Sequence, residues 1–493
     1  MQHPTRMVSS VTAALLLAGL ASANSGLEPQ ASQALGLSSA ELIQVNLIGA
    51  PGVDSSAFFT YGGTTVELQL SPSSPYAEGF QLLEDRGNGD LVAVTPQPSR
   101  TYRGTVAGLP GSIVAGSWLD DGLYARVRLN DSADYWIQPL QRHIVGALPG
   151  QHVLYSSEDV LDHDKTCGLD LLANARPPQQ FGGGNNGGGG TEAAGSIAEL
   201  ALDADFEYFQ AYGSSGAVQS MITAVISTMN LQYEAEVDIT HLITAIVVRT
   251  TSSDPYSSTN ANTLLDQFVN EWNSNQGSIQ RDVAQLFTGK EIDSGTIGIA
   301  YVGVICHGSF GYGLVQSDFN SNFSCSTDLS AHELGHNWSA GHCNCTSNTM
   351  NPYITCANTF SSNFSRPDII SHRDSRSCLD GGTPPPDATS VNIASITVGT
   401  VKANKGNKNG RATVTVVDDN GDPVAGAVIT GDFSGPYFNE SGVTSSATNS
   451  SGVATLMTSG SAKGKVNFTF CVTGVAASLP YDSGGNGETC DSL

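Results

Sequence analysis

The sequence predicts a multidomain fold: a mostly β N-terminal segment, an α/β centre with a twisted mixed sheet and helices, and an all-β sandwich at the C-terminus. Length is the first reason. At about 100 to 200 residues per unit, 493 residues require roughly three cores. Composition is the second: a Gly/Asn run at 182–190 and a glycine-to-proline passage at 381–386 read as connectors. The third is periodicity, which changes at those two places from short alternating runs to strand and helix in turn, and back again.

Residues 1–23 read as an export signal. Arg6 supplies the positive charge, Val11 to Leu20 the apolar run, and Ala21-Ser22-Ala23 the small-residue cleavage site. That run falls short of the about 20 residues a membrane span needs, and no later run reaches it, so a secreted chain without a span is expected. The segment 24–181 alternates apolar and polar residues over Thr64–Leu70, Leu91–Thr95 and Gly122–Leu129, with Gly, Pro and Asn-Gly turns between them. It holds no cluster of His, Asp and Glu at catalytic spacing, which suits an inhibitory or chaperoning role. After the connector 182–190, the segment 191–380 reads as extended over Ile197–Phe206, helical over Ala217–Ala235, extended over Leu242–Thr250, helical over Thr263–Asn273, and as a buried strand over Gly295–Cys306. Such alternation implies an α/β unit. Beyond 381–386, the segment 387–493 is rich in Val, Thr and Gly, with strand-like runs at Ala412–Val417, Gly426–Phe433, Gly452–Thr458 and Lys465–Val472. Turn signals such as Asp419-Asn420-Gly421-Asp422 separate them, as in a β-sandwich. The run from Val416 to Ala427 resembles bacterial immunoglobulin-like domains, which identifies an architecture and no function.

Charged residues make up 14% of the chain and the formal net charge is −25. Such a balance repels phosphate backbones, so nucleic acid is not expected as a partner. The tail can bind a surface or a polymeric substrate, and its sequence does not choose between them. Nine cysteines in an exported chain are expected to pair, and an odd count leaves one over. Cys167 stands apart from the six between Cys306 and Cys378 and from the pair Cys471 and Cys490. Those six allow about 15 connectivities. Metal ligation by Cys343 and Cys345 is the alternative to pairing, and oxidation after export opposes it.

The chemistry centres on His332-Glu333-Leu334-Gly335-His336. Two histidines four apart on a helix project from one face and can place two imidazole nitrogens about 2.0 Å from one Zn²⁺. Glu333, beside the first, can accept a proton from a water that zinc acidifies. A catalytic zinc needs a third protein ligand. No Glu occurs between Glu333 and Glu440, so His342 is the substitute, with His372, Asp368 or Asp374 as further donors. On an unbroken helix His342 would lie about 9 Å beyond His336, so the helix must stop and the chain turn back.

The run His332 to His342 followed by Met350 resembles the metzincin superfamily, whose pattern is H-E-x-x-H-x-x-G-x-x-H with a downstream Met-turn. In place of the family's turn glycine stands Ser339, which must accept whatever dihedral the bend requires. Ala331 to Asn337, the upstream Arg281-Asp282-Val283-Ala284-Gln285-Leu286-Phe287-Thr288-Gly289 and the cysteines Cys343, Cys345 and Cys356 bring the likeness nearest to the adamalysin, or reprolysin, group over about residues 195–380. That resemblance implies zinc held by His332, His336 and His342, Glu333 as general base, Met350 in a tight turn beneath the metal, a Cys306–Cys378 disulfide, and Gly295–Cys306 as a cleft rim that pairs with extended substrate. It also admits a structural Ca²⁺, whose ligands no residue pattern assigns. Asp164-Lys165-Thr166-Cys167-Gly168-Leu169 resembles the cysteine-switch motif of metzincin propeptides, in which a thiolate takes the metal position that water otherwise uses. The expectation is a secreted zinc endopeptidase that acts on protein or peptide substrates, with 24–181 as a propeptide and Cys167 as the switch. The alternative is a secreted adhesive or binding protein with a non-catalytic metzincin-like domain, and the intact Glu333 stands against it.

Overall fold

The computed structural model describes residues 27–87, 89–129, 134–172, 195–381, 390–418, 424, 426–449, 452–477 and 479–493. The expected export signal 1–23, the connector 182–190, residues 382–386 and the turn 419–422 lie outside the described residues. The chain has a multidomain mixed fold, with several β-sheets and few helices, and divides into two compact units between Gly382 and Thr383.

In the first unit, nine strands between Glu41 and Ser156 form an antiparallel sheet. The expected runs lie in it as Thr64–Pro72 and Gly122–Leu129. Period-two alternation gives the sheet two apolar faces. Leu68, Leu70, Val114, Leu123 and Ile137 form one core on the first face. Tyr124, Trp136, Val153 and Tyr155, at the alternate positions, join the core of the central segment on the other.

The central sheet runs in the order Thr166–Cys167, Thr296–Ala300, Tyr312–Val315, Val283–Phe287, Ser196–Ala204, Ile239–Arg249, Tyr76–Asp85, Leu91–Val94. It is mixed, and the N-terminal segment supplies both of its edges. The run at Leu91 is a strand as expected, but the hairpin to which it belongs pairs with the central sheet. Tyr76–Asp85 lies parallel to Ile239–Arg249, with Leu82 opposite Ile246 and Asp85 opposite Arg249. At that point the Arg249 guanidinium is buried among carboxylates: Asp203 at 2.7 Å, Asp85 at 3.1 Å and Glu271 at 3.3 Å. The compositional break at 182–190 is therefore not a break in hydrogen bonding.

The helix Ser215–Val237 extends the expected Ala217–Ala235 by capping: Ser214 Oγ accepts from the Ala217 amide, and Asp238 closes the other end in the left-handed region. It is buried on nearly every face, because it lies between the two sheets. Its polar residues find partners in the N-terminal segment. Gln219 donates to the Tyr76 hydroxyl and the Gln97 carbonyl, and Arg103 donates to Ser227.

The buried strand expected over Gly295–Cys306 ends at Ala300. Gly303 takes φ +67°, which turns the chain out of the sheet. The amides of Gly303 and Val304 then donate to the carbonyls of His336 and Asn337 at 2.9 Å each. A helix leaves its last carbonyls without partners, and the chain that departs from the sheet satisfies them. Disulfides join Cys306 to Cys378, Cys325 to Cys356, Cys343 to Cys345 and Cys471 to Cys490. Cys343 and Cys345 are thus bonded to each other and are not metal donors. No described helix is long and apolar enough to cross a membrane.

The second unit has a sheet of Val391–Lys402, Lys408–Asp418 and Val453–Met457 and a second of four strands that begins at Val428–Ser434. Ile393, Val414 and Leu456 from the first share one core with Ile429, Phe433 and Phe470 from the second.

Candidate metal centre

The helix Phe323–Asn337 carries the site. Asn322 caps it by accepting from the amides of Ser324 and Cys325, and every residue of the helix is buried. His332 and His336, one turn apart, face the same space: their Nε2 atoms are 3.0 Å apart. His332 Nδ1 lies 2.5 Å from the Thr349 carbonyl and His336 Nδ1 lies 2.7 Å from the Ala340 carbonyl. A carbonyl only accepts, so each Nδ1 carries the proton and each Nε2 presents a lone pair. Burial holds both rings neutral, His336 down to about 3 and His332 well below the usual histidine range. Two lone pairs at this separation repel unless a cation lies among them. The donor set therefore fits a soft divalent metal such as zinc.

His342 reaches the same place by the bend. After Asn337 the Ser339 amide donates to the His336 carbonyl and the Ala340 amide to the Gly335 carbonyl, while Ser339 takes φ +80°. This is the left-handed closure of a helix, and serine stands where glycine is usual. The His342 ring then lies 4.9 Å from that of His336 and 5.3 Å from that of His332. The ligand atoms of Cys167, His332, His336 and His342 all fall within 4.8 Å of one another. His372, Asp368 and Asp374, on the helix Ser365–Asp374, do not join them. Among the described residues, the groups whose donors converge include none made of carboxylates, so nothing here supports a calcium site.

Glu333 is fully buried beside the cluster, and burial pushes its carboxyl well above the usual range. The Cys167 thiol lies 3.6 Å from Glu333 Oε2 and 3.4 Å from His336 Nε2. Backbone pairing brings that thiol in. Thr166–Cys167 lies parallel to the rim strand Thr296–Ala300, the Gly168 amide donates to the Gly298 carbonyl at 2.8 Å, and the Cys167 amide donates to the Pro352 carbonyl at 3.1 Å. The segment thus fills the cleft between the rim and the chain after Met350.

Residues 195–378 match Reprolysin_5, a model of metallo-peptidase family M12. This segment is a reprolysin-type metzincin domain. Disintegrin and metalloproteinase domain-containing protein 10 of Mus musculus is 24% identical over 298 residues, which cover 50% of this chain and 39% of that protein. The chain therefore spans less than half the length of that curated relative.

Several residues that shape the metzincin cleft escape sequence reading. A Cβ on Gly335 would lie 2.5 Å from Met350 Sδ, so the motif glycine lets the buried methionine pack under the helix. A Cβ on Gly298 would lie 2.3 Å from Glu333 Oε1, so the rim approaches the carboxylate only because it bears hydrogen there. Asp328, one turn before His332, accepts from the Thr349 hydroxyl at 2.7 Å and the Asn358 amide at 2.9 Å, and so fixes the loop whose Thr349 carbonyl orients His332. Asn337 donates to the carbonyls of Tyr301 and Tyr312 and ties the helix end to the rim. One signal was available: an aspartate four residues before a histidine of the motif shares its helix face.

Proposed function

We propose that the chain is a secreted zinc-dependent endopeptidase, made as a latent precursor with residues 24–181 as propeptide and residues 387–493 as an immunoglobulin-like tail. One observation carries the reading: three imidazoles, two of them with Nε2 atoms 3.0 Å apart, bring their ligand nitrogens within 4.8 Å of one another beside the buried carboxyl of Glu333. His332, His336 and His342 would hold the metal. When bound, zinc supplies a Lewis acid that polarises a peptide carbonyl and acidifies water.

Glu333 takes the proton from the attacking water and passes it to the leaving amine, which needs one carboxylate within reach of both. Extended substrate pairs its backbone with Thr296–Ala300, the strand to which Thr166–Cys167 is bonded in the precursor. The carbonyl of Gly298, now held by the Gly168 amide, becomes available to it. Latency follows from competition for one place. Cys167 occupies the inner position and the chain around it fills the cleft, so water and substrate are excluded together. Cleavage in 182–190 lowers the effective concentration of the thiol and lets the segment leave.

The test is hydrolysis of an unbiased peptide library by protein cut in that connector, with and without a chelator. Cleavage that the chelator stops and added zinc restores supports the reading. A preparation that holds zinc and cuts no peptide refutes it.

A further inference from the structure

The chain contains seven lysines, and five of them lie in two short stretches of the tail: Lys402, Lys405 and Lys408, then Lys463 and Lys465. The fold brings these stretches together. Lys402 and Lys408 are directly opposite across the hairpin of Val391–Lys402 and Lys408–Asp418. Lys408 is in turn bridged to Ala462, with its amide donating to the Ala462 carbonyl at 2.8 Å and its carbonyl accepting in return at 2.9 Å. Lys463 and Lys465 follow at once, and Arg411, opposite Gly399, extends the cationic end along the same strand. Lys402, Lys405, Arg411, Lys463 and Lys465 are exposed. Among the described residues no carboxylate forms an ion pair with any of them. The nearby Glu440 is engaged by the amides of Ser459 and Gly460.

This arrangement is costly to the fold. Like charges directly opposite on paired strands repel. Lys405 also holds φ +58°, a conformation that favours glycine, with Gly406 beside it. Strain and repulsion kept together at an exposed tip, in a chain of net charge −25, mark a surface selected for an anionic partner. The overall negative charge does not cancel the patch, because screening confines each charge to about 8 Å at physiological ionic strength.

We infer that this tip binds an acidic polysaccharide whose charges are carboxylates. Five of its six cations are lysines, compact and strongly hydrated point charges that impose no bidentate geometry and so suit charges spaced singly along a polymer, whereas an arginine fork grips paired oxygens. Between them stand Asn404, Asn407 and Ser461, whose amides and hydroxyl suit a polymer rich in hydroxyl groups. The two stretches 402–408 and 461–465 contain no aromatic residue for base stacking and no large apolar one to enter a bilayer, except the buried position that follows at Val466. The tail would then hold the attached domain on such a polymer, independently of whether that domain cleaves peptides.

The experiment is retention of the full precursor on alginate gel, with dextran sulfate, neutral dextran, duplex DNA and anionic phospholipid vesicles as parallel probes. Alginate binding is expected to weaken about a hundredfold between 50 and 200 mM salt, as for five displaced counterions. Replacing Lys402, Lys405, Lys463 and Lys465 by serine is expected to lower alginate affinity by at least about tenfold, with unchanged melting and circular dichroism. A single Lys463→Ser variant gives a smaller loss in the same direction and covers the case in which the quadruple variant misfolds. Equal binding by parent and variants, no binding to alginate, or binding confined to dextran sulfate, DNA or vesicles overturns the proposal.

Discussion

Alanine in place of Gly298 separates the positioning of Glu333 from the integrity of the fold. A Cβ at 298 would lie 2.3 Å from Oε1, 2.8 Å from Cδ and 2.9 Å from Cγ of Glu333. Ordinary contact is about 3.5 Å, so one partner must yield by about 1 Å. The rim strand is hydrogen-bonded to Tyr312–Val315 on one side and to Thr166–Cys167 on the other, whereas Glu333 ends in rotatable bonds. The carboxylate therefore moves. Overpacking of this kind costs about 1 to 3 kcal/mol of stability, and a mobile side chain keeps it near the lower figure. Displacement of a reacting group by about 1 Å costs about a hundredfold, and a general base is worth about 100- to 10,000-fold in all. For Gly298→Ala, kcat/KM is then expected to fall about 100- to 1,000-fold, about 3 to 4 kcal/mol at the transition state. Zinc content should not change, because the three atoms nearest that Cβ all belong to Glu333 and none to an imidazole. The assay is hydrolysis of a quenched fluorescent peptide in a Cys167→Ala background, beside metal analysis and calorimetry. Activity within about threefold of the parent, at equal zinc and stability, would refute the proposed proximity of rim and base.

Cys167→Ala opens the inner position while the backbone of 166–168 still occupies the rim, so the uncut variant should hydrolyse small peptides at a rate between those of the silent wild-type precursor and of protein cut in the connector; equal silence of variant and wild-type precursor removes the thiol from the account of latency. Ser339→Gly relieves a left-handed conformation worth about 1 to 2 kcal/mol and returns about 0.5 to 1 through glycine's unfolded-state entropy. The balance is a gain of about 0.5 to 1 kcal/mol, read as a melting rise of about 1 to 4 °C, and a fall would show that the serine side chain holds the bend. Asp85→Asn takes one charge from the buried Arg249 cluster and should lower precursor stability by about 1.5 to 3 kcal/mol in urea titration. No change would mean that the hairpin 76–94 contributes little to the sheet.

The gathering of His332, His336 and His342 was legible because its signal is local. A spacing of four on a helix fixes a shared face, and the distance from His336 to His342 forces a bend before any coordinate is known. Cys167 stood out by counting. Partners across a sheet leave no such trace. Leu91–Thr95 announced a strand by alternation, but alternation says which face is apolar and nothing about which sheet accepts it. Apolarity continues from Tyr301 to Cys306 and so extends the expected strand past Ala300, while the turn rests on positive φ at Gly303 and again at Cys306. Gly298 and Gly335 were invisible for a related reason: a glycine's use is what comes close to it, and that is decided by chain far away.

The most direct measurement is peptide hydrolysis by the zinc-loaded Glu333→Gln protein in the Cys167→Ala background, with one metal per chain verified in the same sample. The account predicts bound zinc and a rate lower by about 1,000-fold or more, since the imidazoles remain and the proton acceptor is gone. Hydrolysis within about tenfold of the parent would contradict it, because the proton would then be taken by some other group.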